Sequence, residues 1–345
     1  MLIMNRLLLL SGFNEFYSGT AYEIKIVDLR QVNFPSNFYV YESTFYRISL
    51  SSIYMQATTT QNLAIDMCSF NNCSSTTHGG AIFFDCSSGG SISLKAVCGY
   101  KCIAAAGQQG QFIYCTTATN KANLHLLTSI AYSNAPLGNN NLYALIINQG
   151  NCTIQNVNVS NNQHKQYSGI HCSPTLFNTS YVTIFNNTVS AGYVYYITSS
   201  YAIVRFTNFV MNNHSSNGYI ILGYHQLFDS CIFHDNYPCI FQGNNITLLE
   251  CSVDHKYSYV ALISITLTKW RGPATSILMS HFSSQFCFEP SPTPHQSECY
   301  PEPTPAQTMP PEPTDCSIQT NSGESRSLVS LFQFLFINTL QFFLF

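Results

Sequence analysis

The residues best spaced for chemistry are two carboxylates, Asp235 and Asp254. If the turns that carry them stack like neighbouring strands, the two side chains stand roughly 5 Å apart. That separation suits acid–base work on a sugar or a shared grip on a cation. His234 beside Asp235, and His255 one repeat later, extend the options to a metal or acid–base cluster. Against this stands a plainer role, in which both are solvated turn aspartates that hold their own backbone in Asx-turns. We adopt that expectation. The other acids between residues 66 and 286 are Asp66, Asp85, Asp229 and Glu250, and the bases Lys95, Lys101, Lys121, Lys165, Arg205 and Lys256 are scattered. No Ser-His-Asp arrangement, phosphate loop or nucleotide fingerprint stands out. We therefore assign no catalytic, cofactor-binding or metal residue and read the chain as non-enzymatic.

Cysteine is the second residue type with chemical reach. The chain has 14. Cys68-x4-Cys73 and Cys98-x3-Cys102 look like two halves of a zinc site. Yet Cys68 and Cys98 recur at like positions of successive repeats, as do Cys231 and Cys251. Stacked thiols or structural disulfides explain that recurrence more simply than zinc. Asn-x-Ser/Thr sequons begin at Asn72, Asn151, Asn158, Asn178, Asn186, Asn213 and Asn245 and are candidate glycosylation sites. Sequons and cysteines together favour the secretory pathway and an extracellular-facing location. Charged residues are only 8% and the net charge is −3, which gives no footprint for nucleic acid. The chain is 46% hydrophobic, enough to build a core.

These residues sit in a repeat. Strands opened by glycine recur after Gly80, Gly110, Gly138, Gly169, Gly192 and Gly218, at steps of 30, 28, 31, 23 and 26 residues. Each unit is a β-rich strand, a gap, a second strand and a polar turn, often Asn-Asn, as at Asn71-Asn72, Asn161-Asn162, Asn186-Asn187 and Asn212-Asn213. A period of 20 to 50 residues marks a solenoid. Val, Ile, Phe, Tyr and Thr dominate and no helical period persists, so the units stack as strands. The expected fold is all-β: a right-handed parallel β-helix of about eight coils over residues 66–286, after a less regular β-rich cap at 21–65. Asn tolerates the left-handed bend between strands and its amide can join a ladder between coils. Gly79 and Gly80 allow a tight corner, and Ala81 fits where coils crowd. Ile82 and Phe84 are expected on opposite faces of their strand.

The stretch "FNNCSSTTHGGAIFF" resembles the polymorphic outer-membrane protein repeat, F-x-x-N followed by G-G-A-I. Phe70 matches the first motif, Cys73 stands where its Asn is expected, and Gly79, Gly80, Ala81 and Ile82 match the second. Elsewhere the motif is reduced to Gly-x-Ile or Gly-x-Val. The resemblance is to the Cys-rich form found in parasitic flagellate protists. It implies a right-handed β-helix, surface exposure and adhesion.

The flanks extend that expectation. Residues 1–20 read as a degenerate signal segment, with one Arg and a run of only four leucines. Nine of the 14 prolines fall between residues 290 and 313, so 287–316 reads as an extended Pro/Thr-rich stalk. Residues 328–345 carry no charge, and 317–345 reads as a hydrophobic C-terminal anchor, spanning the membrane or replaced by a lipid. The function that follows is a membrane-anchored, surface-displayed ectodomain that binds a host-cell, matrix or glycan partner. The alternatives are a polysaccharide lyase or glycoside hydrolase on the same fold, and a decayed, inactive family copy.

Overall fold

The computed structural model describes residues 13–17, 21–24, 32–33, 37–56, 60–126, 128–132, 145–147, 150–199, 201–216, 218–254 and 265–268. The chain divides into two units, Met1–Ser291, which holds all of these, and Pro292–Phe345. The expected stalk and C-terminal anchor lie outside the described residues, as does His255. Among the described residues no helix is long and apolar enough to cross a membrane.

The fold is an all-β parallel β-solenoid of about seven turns, counted between residues 63 and 249. One coil shows how it is made. Leu63–Asp66 forms the first strand, Ser69–Asn71 the second, Ser74–Ser75 a short bridge and Ile82–Cys86 the third strand. The next coil repeats the path in parallel register: Ile92 pairs with Leu63, Cys98 with Ser69, Ile103 with Ser74 and Ile113 with Ile82. Three ladders therefore run through the described solenoid. Leu63, Ile65, Phe70, Ile82 and Phe84 all point inward and are fully buried. Ile82 and Phe84 thus share a face rather than opposing each other, because residues two apart on a pleated strand point the same way.

Two left-handed corners bound the second ladder in each coil. One holds Met67, Ala96, Asn156, Tyr181, Phe206, Ser230 and Glu250; the other holds Asn72, Lys101, Tyr132, Asn161, Asn186, Met211 and Asp235, all with φ between 48 and 55°. Asn takes this conformation readily, whereas Met, Phe, Tyr and Lys resist it by about 1–2 kcal/mol. What holds the latter is the neighbouring coil. Corner N–H groups donate to the next carbonyl along the ladder, Met67 to Lys95 at 3.0 Å and Met211 to His234 at 2.9 Å, while the Asp235 N–H donates to the Asp254 carboxylate. The conformation comes from pairing between coils, whatever side chain occupies the corner.

The residue after the second corner points inward. In the C-terminal coils it is Asn162, Asn187, Asn212 and Asn236, all buried. Their amides form a ladder: Asn162 Nδ2 donates to Asn187 Oδ1 at 2.9 Å, Asn187 to Asn212 at 3.1 Å and Asn212 to Asn236 at 2.9 Å. The same amides donate down to Val159, Ile184 and Phe209 carbonyls. In the N-terminal coils Cys73 and Cys102 take this place, their thiols donating to the equivalent carbonyls of Phe45 and Phe70. Phe45 and Phe70 stack at 4.6 Å, and Phe209 and Phe233 at 5.0 Å, filling the interior between rungs.

Register corrects three expectations. The ladders begin before residue 66: Phe38–Tyr41, Thr44–Tyr46 and Ile53–Gln56 pair in register with Leu63–Asp66, Ser69–Asn71 and the third strand. Much of the segment expected as an irregular cap therefore belongs to the solenoid. Cys98 pairs with Ser69 rather than standing above Cys68, whose stacked neighbour is Val97. Gly110, Gly192 and Gly218 do share one position, three residues before inward Ile113, Tyr195 and Ile221, and in the first unit that position is held by Gly79 rather than Gly80. Gly169 does not; it lies inside Tyr167–Cys172, where the register to Tyr193–Ile197 shifts at a bulge.

Gly80 shows why the Gly-Gly-Ala-Ile segment tolerates so little. A Cβ there would lie 2.1 Å from the Gln111 carbonyl oxygen and 2.6 Å from the Ile103 carbonyl carbon. Both are backbone atoms of the adjoining coil. Gly80→Ala is expected to force that coil aside and cost about 1–3 kcal/mol. A urea midpoint unchanged from the parent would overturn this.

Residues 13–17, within the segment read as a signal, lie on the outside of the first ladder. Phe13 packs with Tyr39 and Ala64, and Glu15 pairs with Lys95 Nζ at 2.6 Å.

Candidate functional site

The structure brings Asp235 and Asp254 together. The second corner places Asp235 at φ 50°, and Asp254 follows the last strand of the second ladder, Ser252–Val253, one coil on. Asp254 Oδ2 accepts the Asp235 backbone N–H at 2.6 Å. It thereby caps the corner of the coil before it, rather than its own turn, and it is buried at 8% exposure. His234 lies against both carboxylates, Nε2 at 3.1 Å from Asp235 Oδ2 and Nδ1 at 3.8 Å from Asp254 Oδ2. Two atoms remain unserved: His234 Nδ1 and Asp254 Oδ1 are shielded from solvent and carry no hydrogen bond. Among the described residues this is the group of three whose donor atoms, all within 4.8 Å of one another, can hold a metal ion.

Among the described residues the cysteines form no such cluster. Cys68, Cys73, Cys86, Cys102, Cys115, Cys152, Cys172, Cys231, Cys239 and Cys251 are thiols outside any disulfide, so at these positions stacked thiols, and not the alternative of disulfides, account for the recurrence. Burial pushes the Cys68 thiol up to about 12, and raises Cys102, Cys115, Cys152 and Cys231 as well. Such thiols are weakly nucleophilic. Their work is local: Cys68, Cys231 and Cys251 donate to the backbone carbonyls of Val40, Val204 and Phe228 in the preceding coil.

Of the sequons, Asn72, Asn178, Asn186 and Asn245 are exposed and Asn151 and Asn213 half-buried. Asn158 is buried at 8% exposure in the second ladder, between Ser129 and Thr183. A transferase cannot reach it in the folded chain.

A larger feature covers the outside of the third ladder. Register aligns Tyr54, Phe83, Tyr114, His171, Tyr196, Leu222 and Gln242 in one outward column, with residue 146 at the same register position of the intervening strand. Tyr54 stacks on Phe83 at 4.7 Å and Phe83 on Tyr114 at 5.3 Å, with planes within 10°. His78 covers Tyr114 from the adjoining loop at 4.7 Å. Further along, His171 and Tyr196 stack at 4.5 Å, and Tyr167 and Tyr193 close around them at about 6 Å. Tyr193 Oη reaches Gln242 Oε1 at 2.6 Å, two coils away. Burial holds the His171 imidazole down to about 4, so it is a neutral ring near pH 7. Burial and neighbouring phenols raise Tyr193 and Tyr196, which keep their hydroxyl protons. The column thus carries two uncharged stacks of rings with hydroxyl and amide groups beside them. The sequence alone could not select these tyrosines, because variable loops hide their common position. The usable signal is an aromatic one residue after the inward residue of several third strands, as after Ile53, Ile82, Ile113 and Tyr195.

Comparison with protein-family models, with curated proteins and with solved structures found no match.

Proposed function

We propose that this chain is the ectodomain of a membrane-anchored surface protein, a non-enzymatic adhesin that holds glycan along the aromatic column of its third ladder. The column carries the reading. A sugar ring presents C–H groups on one face and hydroxyls at its rim. It is bound well by an aromatic face with amide and hydroxyl neighbours, and Tyr167, His171, Tyr193, Tyr196 and Gln242 supply that combination. Repetition of rings from coil to coil suits an extended chain of sugars better than a single small molecule. Support also comes from the exposed sequons and from the resemblance of Gly79, Gly80, Ala81 and Ile82 to the repeat of surface proteins. The right-handed family fold, the stalk and the anchor belong to this proposal.

The test uses the full chain displayed on cells with a tag in the Pro-rich segment. Surface protease should remove the tag from intact cells, and the cells should be retained by immobilised glycans. Tyr167→Ala combined with Tyr196→Ala should weaken retention about tenfold or more, with the urea midpoint close to the parent's. Retention unchanged in that variant would refute the assigned face, and a protected tag would refute surface display.

A further inference from the structure

We propose that His234, Asp235 and Asp254 form a binding site for one divalent transition-metal ion of the zinc type, built onto the last described corner of the solenoid. The donor set is the first argument. An imidazole nitrogen with two carboxylates matches zinc, whereas calcium and magnesium prefer oxygen alone. Two aspartates also balance a dication. The second argument is independent of composition. The capping bond uses Asp254 Oδ2 and leaves Oδ1, on a residue only 8% exposed, with no donor. His234 Nδ1, 3.8 Å from the same carboxylate, is equally shielded and also makes no hydrogen bond. A shielded carboxylate oxygen and a shielded ring nitrogen, neither with a hydrogen-bond partner, are both polar groups that a positive centre bound in this cluster would serve.

The geometry must tighten on binding. Zinc lies about 2.0–2.2 Å from nitrogen and carboxylate donors, so ligand atoms around it stand roughly 3–3.6 Å apart. One donor atom from each of His234, Asp235 and Asp254 already lies within 4.8 Å of the other two, so small side-chain rotations about a single His234 nitrogen close the set. Asp254 is positioned by the backbone hydrogen bond it accepts, and Asp235 by the left-handed corner that the same bond holds. The Asp235 side chain is 42% exposed, so the remaining coordination position faces solvent and is open to water or an oxygen ligand. This site is separate from the aromatic column and does not depend on the glycan reading.

The test is zinc binding by the full chain, stripped with chelator and titrated with zinc chloride alone. The parent should bind one more equivalent than Asp254→Asn or His234→Gln. Asn at 254 can still accept the Asp235 N–H, so that variant should keep the corner, which its urea midpoint without metal will show. If Asp254→Asn unfolds, His234→Gln on the open corner decides by the same stoichiometry. Cobalt substitution gives a second readout: a visible d–d band in the parent, lost in the His234 variant. Equal zinc stoichiometry and affinity in parent and variants, or no zinc uptake by the parent, would overturn the proposal.

Discussion

Asn187→Leu is expected to lower the unfolding free energy by about 3–5 kcal/mol. Asn187 is the centre of the amide ladder. Its Oδ1 accepts from both the backbone N–H and the Nδ2 of Asn162, and its Nδ2 donates to Val159 O and Asn212 Oδ1. Leucine fills similar space but takes away the oxygen that accepts two hydrogen bonds from Asn162 and the amide that donates to the Val159 carbonyl. Each loss costs roughly 1–3 kcal/mol. The neighbouring Asn186 separates this effect from corner conformation. It is exposed, holds φ 51° and its side-chain amide donates to Asn161 at the surface. Asn186→Gly keeps the corner conformation and should change stability by less than about 1 kcal/mol. Urea midpoints of the two variants decide. Equal small losses would mean the inner ladder is dispensable.

The second large effect has the opposite sign. His125 stands in the first ladder between Leu94 and Ile154, facing the core, and is fully buried with neither ring nitrogen hydrogen-bonded. Burial holds its pKa down to about 3, so it is a neutral imidazole among aliphatic side chains. His125→Leu removes two unsatisfied polar atoms and should stabilise the fold by about 1–3 kcal/mol at neutral pH. The same group makes the parent acid-sensitive. The unfolded chain protonates near pH 6.5 and the folded one only near 3, so the stability is full above about pH 6.5 and drains away as pH falls towards 3. At about 1.4 kcal/mol per unit, His125 costs roughly 2–3 kcal/mol at pH 4.5. His78, His171 and His214, also lowered by burial, add in the same direction. The advantage of His125→Leu should therefore widen between pH 7.5 and pH 4.5. A constant difference would mean that the imidazole is solvated in the folded chain.

The strand-rich coil, its period and its polar corners were legible in the residues, because Val, Ile, Phe and Tyr recur between Gly and Asn-Asn at a solenoid spacing. The amide ladder was legible in kind, since only a stacked fold places Asn187 25 residues above Asn162 and 25 below Asn212. Which member of each Asn pair turns inward was not. Asn186 and Asn187 have the same local preference, and only pairing between coils assigns one to the bend and the other to the core. The same limit explains the Cys98 error, a slip of one residue that moves a side chain to the other face. Phe38–Tyr41 carries neither Gly-Gly nor Asn-Asn, so nothing local revealed that it already belongs to the ladder. For the candidate site, spacing alone brought Asp235 near Asp254, but the buried cap and the unserved oxygen depend on the coil closing over them. The aromatic column was the least visible. Its residues share no motif and sit at uneven intervals, and they align only because each third strand hydrogen-bonds in register to the one before. Local side-chain preferences determined that this chain coils in strands; backbone pairing between coils, over separations no local preference senses, decided which side chains face the core and which form a surface.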